Sequence, residues 1–170
     1  ITYGSAVGGH EPVDWEHLRC LTLIGSHIGE DTRNTVMQDF ANAYARGAKV
    51  IVIDPRFSTV AGKADYWLPI KPGTDTALLL AWINVLITEN RYDAAYVSEW
   101  TVGFDQLAQH VREYTPEWAA AITDLPADRL GQASRDFRLA DTSGANHEDV
   151  FGSNLILELF GQLLPPPTVA

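Results

Sequence analysis

Two short apolar runs separated by one amphipathic segment constrain this chain more than any other feature. The first, Cys20-Leu21-Thr22-Leu23-Ile24, stops at Gly25; the second, Lys49-Val50-Ile51-Val52-Ile53, stops at Asp54-Pro55. Short continuous apolar runs fit strands buried on both faces, and proline ends the second because it cannot donate to a ladder. Between them, Val36, Met37, Phe40, Ala43 and Tyr44 recur at helical spacing within the segment Asp31 to Arg46. Asp31 or Thr32 can cap the start of that helix and Gly47 its end. Strand, helix, strand in this order predicts a right-handed crossover between two parallel strands. Both carboxyl-terminal loops then lie on one edge of the sheet, where open parallel sheets bind their ligands.

A third run, Tyr66-Trp67-Leu68-Pro69-Ile70, ends at Lys71-Pro72-Gly73-Thr74-Asp75, and an apolar helix is expected from Thr76 to about Asn90, capped by Thr74 or Asp75. Beyond Arg91 the pattern is helical in short pieces, with Pro116 and Pro126 where a first helical turn tolerates them, which predicts two or three helices. The fold class expected is α/β: a Rossmann-like parallel sheet with flanking helices and a helical C-terminal part. The texture changes at Asp141. Residues 1–140 read as the α/β domain and 141–170 as a divergent tail, with a loop at Thr142 to Asn146, an apolar segment from Phe151 to Leu164 and a stiff Pro165-Pro166-Pro167.

A chain of 170 residues with 46% hydrophobic and 20% charged side chains has the composition of an ordinary globular domain. Its formal charge of −10 repels a phosphate backbone, so nucleic acid is not an expected partner. An anionic cofactor is still admissible, because a helix N-terminus and backbone N–H groups hold phosphate without net positive charge. The single cysteine, Cys20, excludes an internal disulfide and any Cys-x-x-Cys metal or cluster site; heading an apolar strand, it reads as a core residue. No apolar run approaches the roughly 20 residues of a membrane-spanning helix. His10, His17, His110 and His147 are scattered, without metal-ligand or carboxylate-paired spacing, and are expected at the surface. The tryptophans at 15, 67, 82, 100 and 118 are expected in core and interface packing. The start at Ile1, without an initiator Met or signal pattern, reads as a piece of something longer.

Three loops converge on the carboxyl edge. In Gly25-Ser26-His27-Ile28-Gly29-Glu30-Asp31, glycines let backbone approach a ligand and a helix follows, which suits a phosphate and equally suits an ordinary strand-to-helix turn. In Asp54-Pro55-Arg56-Phe57-Ser58-Thr59, Asp54 ends the second strand, where a carboxylate accepts hydrogen bonds from ribose hydroxyls or caps a turn. Arg56 can pair with a phosphate or with a neighbouring acid. In Gly73-Thr74-Asp75, N–H groups and a carboxylate at a helix start suit a guanine-like edge, or a plain N-cap. No Gly-x-Gly-x-x-Gly follows the first strand, so a hydride-transferring dehydrogenase fits poorly.

Taken together, Asp14-Trp15, Ile24-Gly25-Ser26-His27, Ile53-Asp54-Pro55-Arg56, Ala64-Asp65-Tyr66-Trp67-Leu68-Pro69 and Lys71-Pro72-Gly73-Thr74-Asp75 resemble the molybdopterin oxidoreductase catalytic subunits of the dimethyl-sulfoxide-reductase family. The likeness covers about residues 3 to 140, its motifs standing in order and at the family's spacing; the texture is most similar to the thiosulfate, polysulfide or arsenate reductase branch. The resemblance implies a molybdenum held by two molybdopterin guanine dinucleotides, with this domain gripping the nucleotide part of one. By position, the loop from Ile24 to Asp31, with Gly25, Ser26, His27 and Glu30, would contact the pyrophosphate. Ile53 to Phe57, with Asp54, Pro55 and Arg56, would hold the guanosine ribose through Asp54, and Gly73, Thr74 and Asp75 would read the guanine, with Asp75 facing its amino edge. His27 departs from the Asn that many relatives carry there. The resemblance places the metal ligand upstream of the first strand, so no catalytic or metal-ligating residue is expected in this chain.

The same resemblance implies the rest of a catalytic subunit, an iron–sulfur electron-transfer subunit and a membrane anchor as partners. It implies a 4Fe-4S cluster in upstream sequence or in a partner, and a periplasmic or membrane-associated complex, a cytoplasmic one being the alternative. The reading of a different class is a stand-alone α/β module that binds a nucleotide or a protein without catalysis.

Overall fold

The computed structural model describes residues 13–26, 28–30 and 36–137. The expected caps Asp31 and Thr32, the side chain of His27, the histidines at 10 and 147 and the tail from 141 lie outside the described residues. Three strands form one sheet, β1 (Cys20–Ile24), β2 (Lys49–Ile53) and β3 (Tyr66–Leu68), in the order β1-β2-β3. Both pairings are parallel, with Ile24 opposite Ile53 and Ile53 opposite Leu68. The three strands therefore end level, and their following loops share one edge. Gly25 N–H extends the first ladder to the Ile53 carbonyl at 2.9 Å.

β2 shows why its sequence is a continuous apolar run. Val50 and Val52 face α1 (Met37–Ala45), in a cluster with Leu23, Phe40 and Val60. Ile51 and Ile53 face the opposite layer, with Leu68, Leu78, Ala81, Ala119, Leu130 and Ala133. A strand between two helical layers has no face left for polar side chains. That second layer comprises α2 (Asp75–Thr88), α5 (Pro116–Thr123) and α6 (Ala127–Phe137), with α6 lying across β1 and β2. Two small helices, α3 (Ala94–Trp100) and α4 (Phe104–His110), lie between α2 and α5 in the chain. Leu107 of α4 packs with Leu80 and Ile83 of α2 and with Val111.

The expected strands β1 and β2 are found with the boundaries read from sequence. β3 is shorter than expected: it ends at Leu68, because Pro69 has no N–H and the Ile70 N–H turns back to the Leu68 carbonyl at 2.8 Å. α2 begins one residue early and stops at Thr88, with Asn90 in the left-handed region at φ 51°. Among the described residues four α-helices follow Arg91 rather than two or three, because Gly103, Pro116 and the left-handed Asp124 divide the stretch into short pieces. Trp82 is a core residue at 2% exposure, whereas Trp100 is 65% exposed and belongs to no core cluster. Cys20 is half-buried against the α2–α6 layer, and burial pushes its thiol up to about 11, which leaves it protonated and inert at neutral pH.

Candidate functional site

The carboxyl edge gathers the three loops that sequence singled out. Asp54 is set there by the register of β2: its N–H bonds the Leu68 carbonyl at 3.2 Å, and the residue is 9% exposed. One carboxylate oxygen accepts the Arg56 N–H at 2.7 Å, a turn with the exposed Pro55 at its centre. The other oxygen has no partner among the described residues. A carboxylate offers about four acceptor positions, so Asp54 keeps capacity for a ligand's hydroxyl donors while its own turn is already satisfied.

Glu30, from the loop after β1, reaches the loop after β2 and bridges it. One of its oxygens accepts the Thr59 N–H at 2.6 Å and the other accepts from the Arg56 guanidinium at 2.6 Å. The Thr59 N–H, then the Thr59 side chain and the Arg56 guanidinium, pull the Glu30 carboxyl down to about 2. Of the two partners open to Arg56, a phosphate or a neighbouring acid, the structure shows the acid: Glu30, expected to face a cofactor, holds the guanidinium and matches its charge. Thr59 gave no sequence signal, because its role is to turn its N–H toward an acid 29 positions earlier.

The third loop approaches α2. The Thr74 hydroxyl does not cap the helix: it donates to the Lys71 carbonyl at 2.7 Å, since the Thr74 backbone, at φ −113° and ψ 14°, lacks the extended geometry of a side-chain cap. The opening N–H groups of α2 therefore have no side-chain cap, an arrangement suited to a ligand acceptor. Asp75, half-buried, occupies the first turn. Gly25 and Gly73 both hold positive φ, 56° and 81°, and among the described residues neither has an atom within 4 Å of where a Cβ would stand. Both turns thus require glycine for backbone conformation and border open space. Ser26 sits half-buried beside Gly25.

Trp67 is a buttress that sequence reading placed only in packing. Its indole N–H donates to the Asp54 carbonyl at 2.9 Å, and its ring meets Phe57 edge-on at 4.7 Å between centroids. Away from this edge, the Asp14–His17 pair corrects the expectation that no histidine has a carboxylate partner. His17 Nδ1 lies 2.7 Å from Asp14, and that hydrogen bond lowers the Asp14 carboxyl. The i, i+3 spacing was the available signal. Among the described residues no group of three or more His, Cys, Asp or Glu side chains is placed to hold a metal ion, and no helix is long and apolar enough to cross a membrane.

This donor and acceptor set fits the nucleotide end of a cofactor: a carboxylate with spare acceptor capacity for ribose hydroxyls, uncapped helical N–H groups, and glycine turns bordering open space. The family described as Molybdopterin oxidoreductase matches residues 4–148. The chain is 42% identical over 130 residues to the thiosulfate reductase molybdopterin-containing subunit PhsA of Salmonella typhimurium, covering 76% of this chain and 17% of that protein. It is 39% identical over 134 residues to acetylene hydratase of Syntrophotalea acetylenica (79% and 18%), and 35% identical over 158 residues to dimethyl sulfoxide reductase DmsA of Escherichia coli (79% and 19%). Among solved structures, acetylene hydratase from Pelobacter acetylenicus superposes with a TM-score of 0.66 at 41% identity, over 68% of this chain and 16% of that one. The chain thus spans less than a fifth of the length of these relatives. With the motifs, the parallel sheet and the match over most of its length in agreement, the chain belongs to the molybdopterin oxidoreductase family.

Proposed function

We propose that this chain grips the guanine-nucleotide end of a molybdopterin guanine dinucleotide within a catalytic subunit of the dimethyl-sulfoxide-reductase type. The observation that carries the reading is Asp54, a nearly buried carboxylate with one oxygen uncommitted, at the level edge where all three glycine- or proline-marked loops meet. Asp54 takes the ribose hydroxyls. The opening turn of α2 with Asp75 takes the guanine edge, and the backbone around Gly25 and Ser26 takes the pyrophosphate. Arg56 and Glu30 act by fastening two of these loops together. When bound, such a cofactor supplies two-electron chemistry at its molybdenum; the residues here bind and orient. The complex we envisage includes the rest of the subunit and an iron–sulfur partner carrying a 4Fe-4S cluster, with a membrane anchor, facing the periplasm.

The reaction itself belongs to residues beyond this set. The chain is about equally similar to a protein named as a thiosulfate reductase and one named as a hydratase, so similarity over this stretch does not separate the two chemistries. A sulfur-compound reductase is our preferred reading within the family.

Calorimetric titration of the folded full chain with GDP tests the assignment. Saturable binding is expected, weakened about tenfold or more by Asp54→Ala and by Asp75→Ala, since each removes hydrogen bonds to a charged group worth about 1.5–3 kcal/mol. A chain with a native circular dichroism spectrum that takes up no GDP overturns it.

A further inference from the structure

Phe57 is an exposed aromatic side chain braced by its neighbours. It is 61% exposed, yet its ring is held edge-on by Trp67 at 4.7 Å and 69°, and its tip lies 3.6 Å from where a Cβ on Gly62 would stand. The backbone carrying it is equally fixed. Asp54 closes the turn before it through the Arg56 N–H, Ser58 beside it is 3% exposed, and Thr59 is tied to Glu30. Trp67 joins the two ends of this arrangement, bonding the Asp54 carbonyl with its indole N–H while bracing Phe57 with its ring. Surface aromatics are ordinarily covered or able to swing; one locked in the open pays little further ordering cost when a flat ligand covers it.

We propose that Phe57 is the stacking platform for the purine base of the bound nucleotide and so sets the preference for a nucleotide over a bare sugar phosphate. The proposal rests on Asp54 holding the ribose. The base is joined to that ribose, and Phe57 is the aromatic side chain that the same loop presents three residues further on. Stacking on an aromatic ring is tolerant of which base is present, so discrimination of guanine is left to Asp75 and the α2 turn.

The test titrates the full chain, Phe57→Ala and Phe57→Trp with GDP and, in parallel, with ribose 5-phosphate. Phe57→Ala is expected to bind GDP about tenfold more weakly, within the range that one base–aromatic stack supplies, with ribose 5-phosphate affinity unchanged. Phe57→Trp should keep GDP affinity within about twofold of the parent. If Phe57→Ala binds GDP as the parent does, the stack is overturned and the nucleotide site stands. An equal fall for GDP and ribose 5-phosphate means the loop has moved and also overturns the stack. If the parent binds no GDP, both this inference and the nucleotide site fail.

Discussion

At the scale of single residues, the Glu30 clasp separates what a side chain is suited to from what it does. Read alone, Glu30 and Arg56 are an acid and a cation on ligand-facing loops; in the fold Glu30 accepts one short bond from the Arg56 guanidinium and one from the Thr59 N–H, which fix those loops to each other. The Glu30 carboxyl titrates at about 2 in the folded chain and near its ordinary value of 4.5 when free. A depressed carboxylate contributes stability that is complete above 4.5 and is lost as pH falls toward 2. Glu30→Gln should therefore lower the melting temperature by a constant amount at pH 5 to 8. The gap to the parent should narrow between pH 4.5 and 2, and a gap that stays constant across that window refutes the linkage. Because Arg56 is exposed and Glu30 only half-buried, the effect is expected to be small and to shrink in high salt. No sequence pattern marked this clasp, since its members are joined only by the parallel register of β1 and β2.

At the scale of elements, alternation along β2 and small residues between helices set the packing. Ile51, at 0% exposure, fills the layer that α2, α5 and α6 share, where Ala81, Ala119 and Ala133 are also fully buried. Alanines at these positions leave room for neighbouring side chains, and a well-packed core tolerates neither loss nor gain of volume. Ile51→Ala should cost about 2–5 kcal/mol by the cavity it leaves. Ala119→Leu should cost about 1–3 kcal/mol by overpacking. Urea unfolding measures both, and an Ala119→Leu variant as stable as the parent would show that α5 is free to move away. Helix ends were less legible than strand ends. The loss of side-chain capping at Thr74 came from its own backbone angles, which composition does not reveal, whereas Pro116 marks the start of α5 openly and Pro69 lies inside the run expected for β3.

Across the whole molecule, stability should be graded from the two-sided sheet outward. Val52 and Ile51 are wholly buried and α2 has nine buried residues, whereas α3 has none and α4 only Leu107. Amide hydrogen exchange should therefore be slowest in β2 and central α2 and fastest in α3; equal protection in α3 and β2 would contradict this layering. The sequence by itself determined β1 and β2, their parallel sense and the edge on which Asp54, Gly25 and Gly73 would meet. Those features follow from local periodicity and from the single hand of a strand–helix–strand crossover. Only the tertiary structure decided that Arg56 answers to Glu30, that Trp67 braces both Asp54 and Phe57, and that α6 lies across β1 and β2. Each of these joins residues far apart in the chain, and such contacts have no period: they exist once the sheet's register has brought their partners within hydrogen-bonding or van der Waals reach.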